Sequence, residues 1–110
     1  MTVPRKARET FIAAIVRELP NLQFEEAMNL AYFLLRAEAT LRRLNEARCS
    51  RPITDAEEDR AEKLRRRVQE ACLERGLGMQ FDYSPGSSAI WLLLPSSRTN
   101  DLDRKFYRVP

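Results

Sequence analysis

The sequence predicts an α+β fold: three helices, including an antiparallel helical hairpin, followed by a small three-stranded antiparallel sheet at the C-terminus. Two observations carry this prediction. Apolar residues recur at helical spacing up to Gly76, and beyond it their period falls from about 3.6 residues to about 2. Residues 1–110 show no internal repeat and no linker, so we expect a single domain.

The first two helices are predicted over residues 5–19 and 22–49. Pro20 ends the first because its ring cannot continue a helix, and Asn21 is the predicted N-cap of the second. One edge of the second helix alternates steps of three and four residues, a seam that requires one partner helix. Its members are Ala27, Leu30, Leu34, Ala37, Leu41 and Leu44.

The partner helix is predicted over residues 55–75. It begins with a capping box, in which the Thr54 hydroxyl and the Glu57 carboxylate satisfy each other's backbone amides. Gly76 supplies the left-handed residue that commonly follows a helix. Because only residues 50–53 connect this helix to the previous one, the two should pack antiparallel.

That antiparallel packing sets Leu41 opposite Ala61 and Ala37 opposite Leu64, so that large side chains meet small ones. The second apolar edge of the middle helix covers only its first half. We therefore expect the far half of the hairpin, with its turn, to project as a two-helix arm.

Three strands are predicted over residues 78–83, 89–94 and 105–109. The first alternates apolar and polar residues, and Ser84-Pro85-Gly86-Ser87 is typical of a turn. The second strand is apolar on both sides. Either helices cover both faces of the sheet, or Trp91 and Leu93 belong to a protein–protein contact, where tryptophan is enriched.

The amino-acid composition restricts the class of protein to which this chain can belong. The chain is 44% hydrophobic and 32% charged, which is typical of a globular domain. No segment has the apolar length of a membrane span or the pattern of a signal peptide, so we expect a cytoplasmic protein. The hairpin geometry places Cys49 and Cys72 at opposite ends, so both thiols should be reduced.

The sequence contains no pattern typical of catalysis or metal binding. It has no histidine, so neither its serines nor its cysteines have the usual activating base. The carboxylates from Glu57 to Glu62 are spread around a helix and are better explained by capping and solubility. We therefore expect no enzyme activity and no cofactor.

The net charge of +3 raises the question of nucleic-acid binding. Basic and acidic residues balance over 21–76, where the hairpin sets them side by side, and the excess lies at the two termini. This favours a protein partner, with nucleic acid as the alternative. The residues for that alternative are Arg5, Lys6, Arg8, Arg98, Arg104, Lys105 and Arg108.

A polar segment separates the last two strands. Asn100 and Asp101 can turn the chain through their own backbone, which would display Arg98 at a fixed place. The segment is either a simple connection or a recognition loop. For binding a partner protein, the predicted residues are Trp91, Leu93, Arg98, Asn100, Asp101, Arg104 and Lys105.

Two stretches of the sequence resemble a known family. One is Leu94-Pro95-Ser96-Ser97-Arg98-Thr99-Asn100-Asp101 with the final Val109-Pro110, and the other is the hairpin segment LRRLNEARCSRPITDAEEDRAEKLRRRV. They are similar to the closing motif and the hairpin of small accessory proteins encoded by phages and prophages. The resemblance, which covers roughly residues 41–110, implies a mobile-element protein that acts in a bacterial cytosol. Together with the lack of catalytic groups, it leads to the expectation of a monomeric or homodimeric inhibitor of a host defence complex, such as an anti-CRISPR protein.

Overall fold

The computed structural model describes residues 3–95 and 106–110. The predicted α+β class is confirmed: three helices precede a three-stranded antiparallel sheet. The elements, in chain order, are α1 (Arg5–Glu18), α2 (Phe24–Ala47), α3 (Asp55–Glu74), β1 (Gly78–Phe81), β2 (Ile90–Leu93) and β3 (Tyr107–Arg108).

Helix α2 begins two residues later than predicted. Gln23 rather than Asn21 is the N-cap, and no side chain donates or accepts a capping hydrogen bond there. The reason is a tight turn after α1, in which the Leu22 amide donates to the Leu19 carbonyl at 3.1 Å. Residues 19–22 belong to this turn, so the helix begins after them. Phe11 and Ile15 of α1 are fully buried in the core that α1 shares with α2.

The capping box of α3 is present as predicted. The Glu57 amide donates to the Thr54 hydroxyl at 3.1 Å, and the Thr54 amide donates to the Glu57 carboxylate at 3.1 Å. At the other end Gly76 has a φ of +73°, and the Leu77 amide donates back to the Cys72 carbonyl at 2.9 Å. Both ends of α3 therefore follow from local sequence.

Most of the seam between α2 and α3 is buried, whereas Leu44 and Leu64 are only partly buried. Leu34 and Leu41 of α2 lie in one apolar cluster with Ala61 and Val68 of α3. Cys72 is also buried there, whereas Cys49 is exposed, and both are free thiols. None of the helices in the described part of the chain is long and apolar enough to cross a membrane.

The sheet has the order β1-β2-β3, and both pairings are antiparallel. Alternation along the strands divides its side chains between two faces. One face packs on the helices through Ile90, Leu92 and Val109, which are fully buried. The other face carries Gln80, Trp91 and Arg108 in cross-strand register.

The far half of the hairpin is packed against the sheet side of the molecule, so the predicted projecting arm is wrong. The Asn45 side-chain amide donates to the Asp82 carbonyl at 2.9 Å, in the β1–β2 connection. Arg42 donates to the Ser88 hydroxyl at 3.1 Å, at the end of that connection. These contacts join segments far apart in sequence, which helical periodicity alone does not reveal.

Candidate functional site

A buried carboxylate on α2 holds the start of β2. Glu38 is 1% exposed and accepts the backbone N–H groups of Ala89 and Ile90, both at 2.8 Å. The Arg42 guanidinium, one helical turn later, donates to the same carboxylate at 2.9 Å. Three donors therefore converge on one side chain and fix the sheet against α2.

Burial raises the pKa of the Glu38 carboxyl above its ordinary value, because the charged form loses its hydration. The amides of Ala89 and Ile90 and the charge of Arg42 oppose that rise. Each hydrogen bond to the carboxylate thus offsets part of the cost of burying it. Loss of the carboxylate is costly, because it leaves the amides of Ala89 and Ile90 buried without an acceptor.

Arg42 extends the same network to the last residues of the chain. Its guanidinium donates to the Val109 carbonyl at 3.3 Å, while the Val109 amide donates to the Ile90 carbonyl at 3.1 Å. The Val109 side chain is fully buried, and the Tyr107 ring lies 5.9 Å from the Phe11 ring of α1. Residues 106–110 are therefore anchored to α1, α2 and β2.

This anchoring creates a groove between the start of α1 and the outer face of the sheet, which we call the terminal groove. It brings together residues from both ends of the chain and from β2. Its lining consists of Pro4, Lys6, Ala7, Thr10, Trp91, Phe106, Tyr107, Arg108 and Pro110. Most of these are aromatic or apolar, and the two charged side chains are both cations.

Trp91 is held in a defined orientation within the terminal groove. Its indole N–H donates to the Ser88 carbonyl at 2.9 Å, and the Arg108 guanidinium lies 5.8 Å from its ring. The ring is partly buried, and Phe106 at the groove edge is 36% exposed. A fixed aromatic ring beside an exposed one is the type of surface that forms the centre of protein interfaces.

The structure separates the residues predicted for partner binding. Trp91 lies in the terminal groove, whereas Leu93 is only 8% exposed and presents little surface to a partner. The remaining predicted residues, namely Arg98, Asn100, Asp101, Arg104 and Lys105, lie outside the described residues.

The residues predicted for nucleic-acid binding are also divided. Lys6 and Arg108, from opposite ends of the chain, lie in the same groove. Arg5 forms an ion pair with Glu9 at 3.0 Å, and it lines a separate depression with Arg8. The structure thus brings one basic residue from each terminus together.

Sequence reasoning missed the network of Glu38, Arg42 and Asn45. A signal was present, because these residues are spaced four and three apart on α2 and continue the stripe formed by Leu34 and Leu41. Polar residues in register with a buried stripe indicate buried hydrogen bonding. Which backbone groups they bind depends on the sheet and could not be predicted locally.

Other reactive groups in the described part of the chain form no site that we can assign. No group of three or more metal-ligating side chains is found among residues 3–95 and 106–110. Burial raises the pKa of the Cys72 thiol to about 11, the nearby charge of Arg75 opposing the rise only in part. The Cys72 thiol is therefore protonated near neutral pH and a poor nucleophile.

Comparison with protein families, curated proteins and solved structures finds no match for this chain. The resemblance to phage accessory proteins consequently stays a prediction.

Proposed function

We propose that this chain is a non-catalytic binding protein whose terminal groove holds a partner protein. One observation carries the proposal: the C-terminal strand is anchored so that Trp91, Phe106 and Tyr107 lie in one groove with Lys6 and Arg108. Aromatic residues and arginine are enriched at the energetically important centres of protein interfaces.

The lining also indicates which partner surface fits. Among the described residues that line the groove, none carries a carboxylate side chain, and Lys6 and Arg108 supply positive charge. A partner segment with an apolar or aromatic side chain flanked by Asp or Glu would fill the groove and neutralise both cations. The partner would therefore be a protein surface of mixed apolar and acidic character.

As the finer proposal, the partner is a bacterial host protein in a defence complex, and the chain is a phage-encoded inhibitor of the anti-CRISPR type. Its support is the resemblance of the tail and the hairpin to phage accessory proteins. A plaque assay on a host with an active defence system tests it. Expression of the wild-type chain should restore plaque formation, and unchanged plaque counts across CRISPR and other defence systems would contradict it.

Affinity capture from a bacterial lysate tests the broader proposal. The bait pair is the wild-type chain and the double variant Lys6→Glu/Arg108→Glu, which reverses both groove charges at exposed positions. A matched control, Arg17→Glu/Arg66→Glu, makes the same change in charge at exposed positions elsewhere. We expect a stoichiometric protein that the wild type and the control retain and the groove variant loses. Equal recovery on all three baits would contradict the proposal.

A second candidate function is nucleic-acid binding, and the meeting of Lys6 with Arg108 in one groove beside Trp91 favours it. Bases stack on aromatic rings, and the two cations could contact phosphates. Trp91 is the single tryptophan, so its fluorescence reports directly on the groove. Quenching by a mixed-sequence single-stranded oligonucleotide that weakens steeply with salt would establish this alternative, and a flat titration at low salt would remove it.

A further inference from the structure

The seam between α2 and α3 is open on the side that faces away from the sheet. A groove of about 350 Å³ lies there, between the end of α2 and the start of α3, and we call it the hairpin groove. Leu41, Leu44, Ala47 and Ala61 form its apolar floor. Leu44 is only partly buried, so the floor offers apolar surface that nothing in the described part of the chain covers.

A second, separate depression lies further along the two helices, and Glu70 and Glu74 are among the residues that line it. Phe33, Thr40 and Ala47 are spaced seven residues apart on α2, so they lie along one face of the helix. Phe33 lines this second depression together with Arg67 and Ala71 of α3. From Phe33 to Ala47 the face extends about 21 Å, since each helical residue rises about 1.5 Å.

The rims of the hairpin groove carry cations that have no carboxylate partner among residues 3–95 and 106–110. Arg43 stands on the α2 rim and Arg60 on the α3 rim, and both are exposed. Glu57 also lines the groove, but its carboxylate accepts two hydrogen bonds from Arg51, at 2.7 and 2.9 Å. The charge left at the rims is therefore positive.

We propose that the hairpin groove binds an amphipathic helix with an acidic border, supplied by a partner protein. The heptad seam of α2 and α3 is partly exposed on this side, which is what a third helix of a bundle would cover. Apolar residues of the incoming helix would pack on Leu44 and Ala47, and its Glu or Asp side chains would pair with Arg43 and Arg60. This site shares no lining residue with the terminal groove.

Charge argues against a second copy as the occupant, and the apolar floor argues against a nucleic acid. A second copy of the hairpin would bring the same unpaired arginines, Arg43 and Arg60, against each other, and like charges repel. A nucleic acid would satisfy the arginines through its phosphates but would leave the floor around Leu44 without an apolar partner. An acidic amphipathic helix would both pack apolar side chains on the floor and pair its carboxylates with the arginines of the rims.

A displayed library of 18-residue helices tests the proposal. Every member carries Leu at the seam positions and Glu, Gln or Lys at the flanking positions. The baits are the wild-type chain, Arg43→Glu/Arg60→Glu, and the matched control Arg17→Glu/Arg66→Glu, all four positions being exposed. Circular dichroism of each bait establishes that it is folded before selection.

We expect Glu to be enriched at the flanking positions on the wild type and on the control, and Lys on Arg43→Glu/Arg60→Glu. Two exposed ion pairs contribute about 1.4 kcal/mol together, so the charge reversal should weaken a selected Glu-flanked peptide about tenfold. No enrichment of Glu, or equal affinity for all three baits, would overturn the proposal. Two other results would also overturn the proposal if no peptide binds. One is binding of an oligonucleotide duplex, and the other is self-association of the chain, in each case abolished by Arg43→Glu/Arg60→Glu.

Discussion

Replacement of Glu38 by alanine is the change that probes the internal architecture most strongly. The carboxylate is 1% exposed and accepts three hydrogen bonds, from the amides of Ala89 and Ile90 and from the Arg42 side chain. Glu38→Ala removes all three bonds at once. The two amides are left buried at the start of β2 without an acceptor.

The expected loss follows from these contacts. Hydrogen bonds to a charged group contribute about 1.5–3 kcal/mol each, and the desolvation that raises the pKa of Glu38 offsets much of their sum. The Arg42 side chain is 33% exposed, so its ion pair is partly screened and the two amides account for most of the effect. We expect Glu38→Ala to lower the free energy of unfolding by about 4 kcal/mol.

Urea denaturation followed by circular dichroism measures that loss. Glu46→Ala, at an exposed position of the same helix, is the matched control and should change the free energy of unfolding by less than about 0.5 kcal/mol. If Glu38→Ala does not fold, Glu38→Gln keeps the shape and one acceptor and should cost about 2 kcal/mol. A loss below about 1 kcal/mol for Glu38→Ala would refute the role of this network.

Three further changes test the helices and the thiols. Thr54→Ala removes the N-cap of α3 and should cost about 1 kcal/mol in urea denaturation, whereas Thr40→Ala within α2 should cost nothing; equal effects would contradict the capping argument. The Arg51 side chain, with the amide and hydroxyl of Thr54, lowers the pKa of Glu57 to about 2. The ionised Glu57 carboxylate therefore stabilises the fold above pH 4.5, and this stabilisation is lost as the pH falls towards 2. The difference in free energy of unfolding between the wild type and Glu57→Gln should therefore shrink between about pH 6 and about pH 3. A difference that stays constant with pH would count against this ion pair. A thiol reagent should modify Cys49 in the native protein and Cys72 only after unfolding, and rapid native modification of both would contradict the burial of Cys72.

Local signals predicted most of the fold. The Thr54 capping box and the left-handed Gly76 each act within one helical turn, so the sequence around them was enough to place both ends of α3. The alternation after Gly76 predicted β1, and the apolar run containing Trp91 predicted β2. In each case the physical cause lies among neighbouring residues.

Long-range contacts account for what the sequence did not reveal. The predicted arm failed because Asn45 and Arg42 bind the connection between β1 and β2, about 40 residues further along the chain. The site was predicted only in part for the same reason. Trp91 could be singled out by its strand, but its meeting with Lys6 depends on how β3 is anchored to the helices.

The most direct test of the central claim, that the terminal groove holds a protein, is photo-crosslinking in bacterial cells. A benzophenone amino acid replaces Phe106 at the groove edge. In the control variant the same benzophenone amino acid replaces Gln69, which is exposed elsewhere on the surface. The account predicts a discrete protein adduct from position 106 that is absent from position 69. It also predicts that Lys6→Glu/Arg108→Glu abolishes this adduct. Adducts made of nucleic acid, or the same proteins crosslinked from both positions, would contradict it.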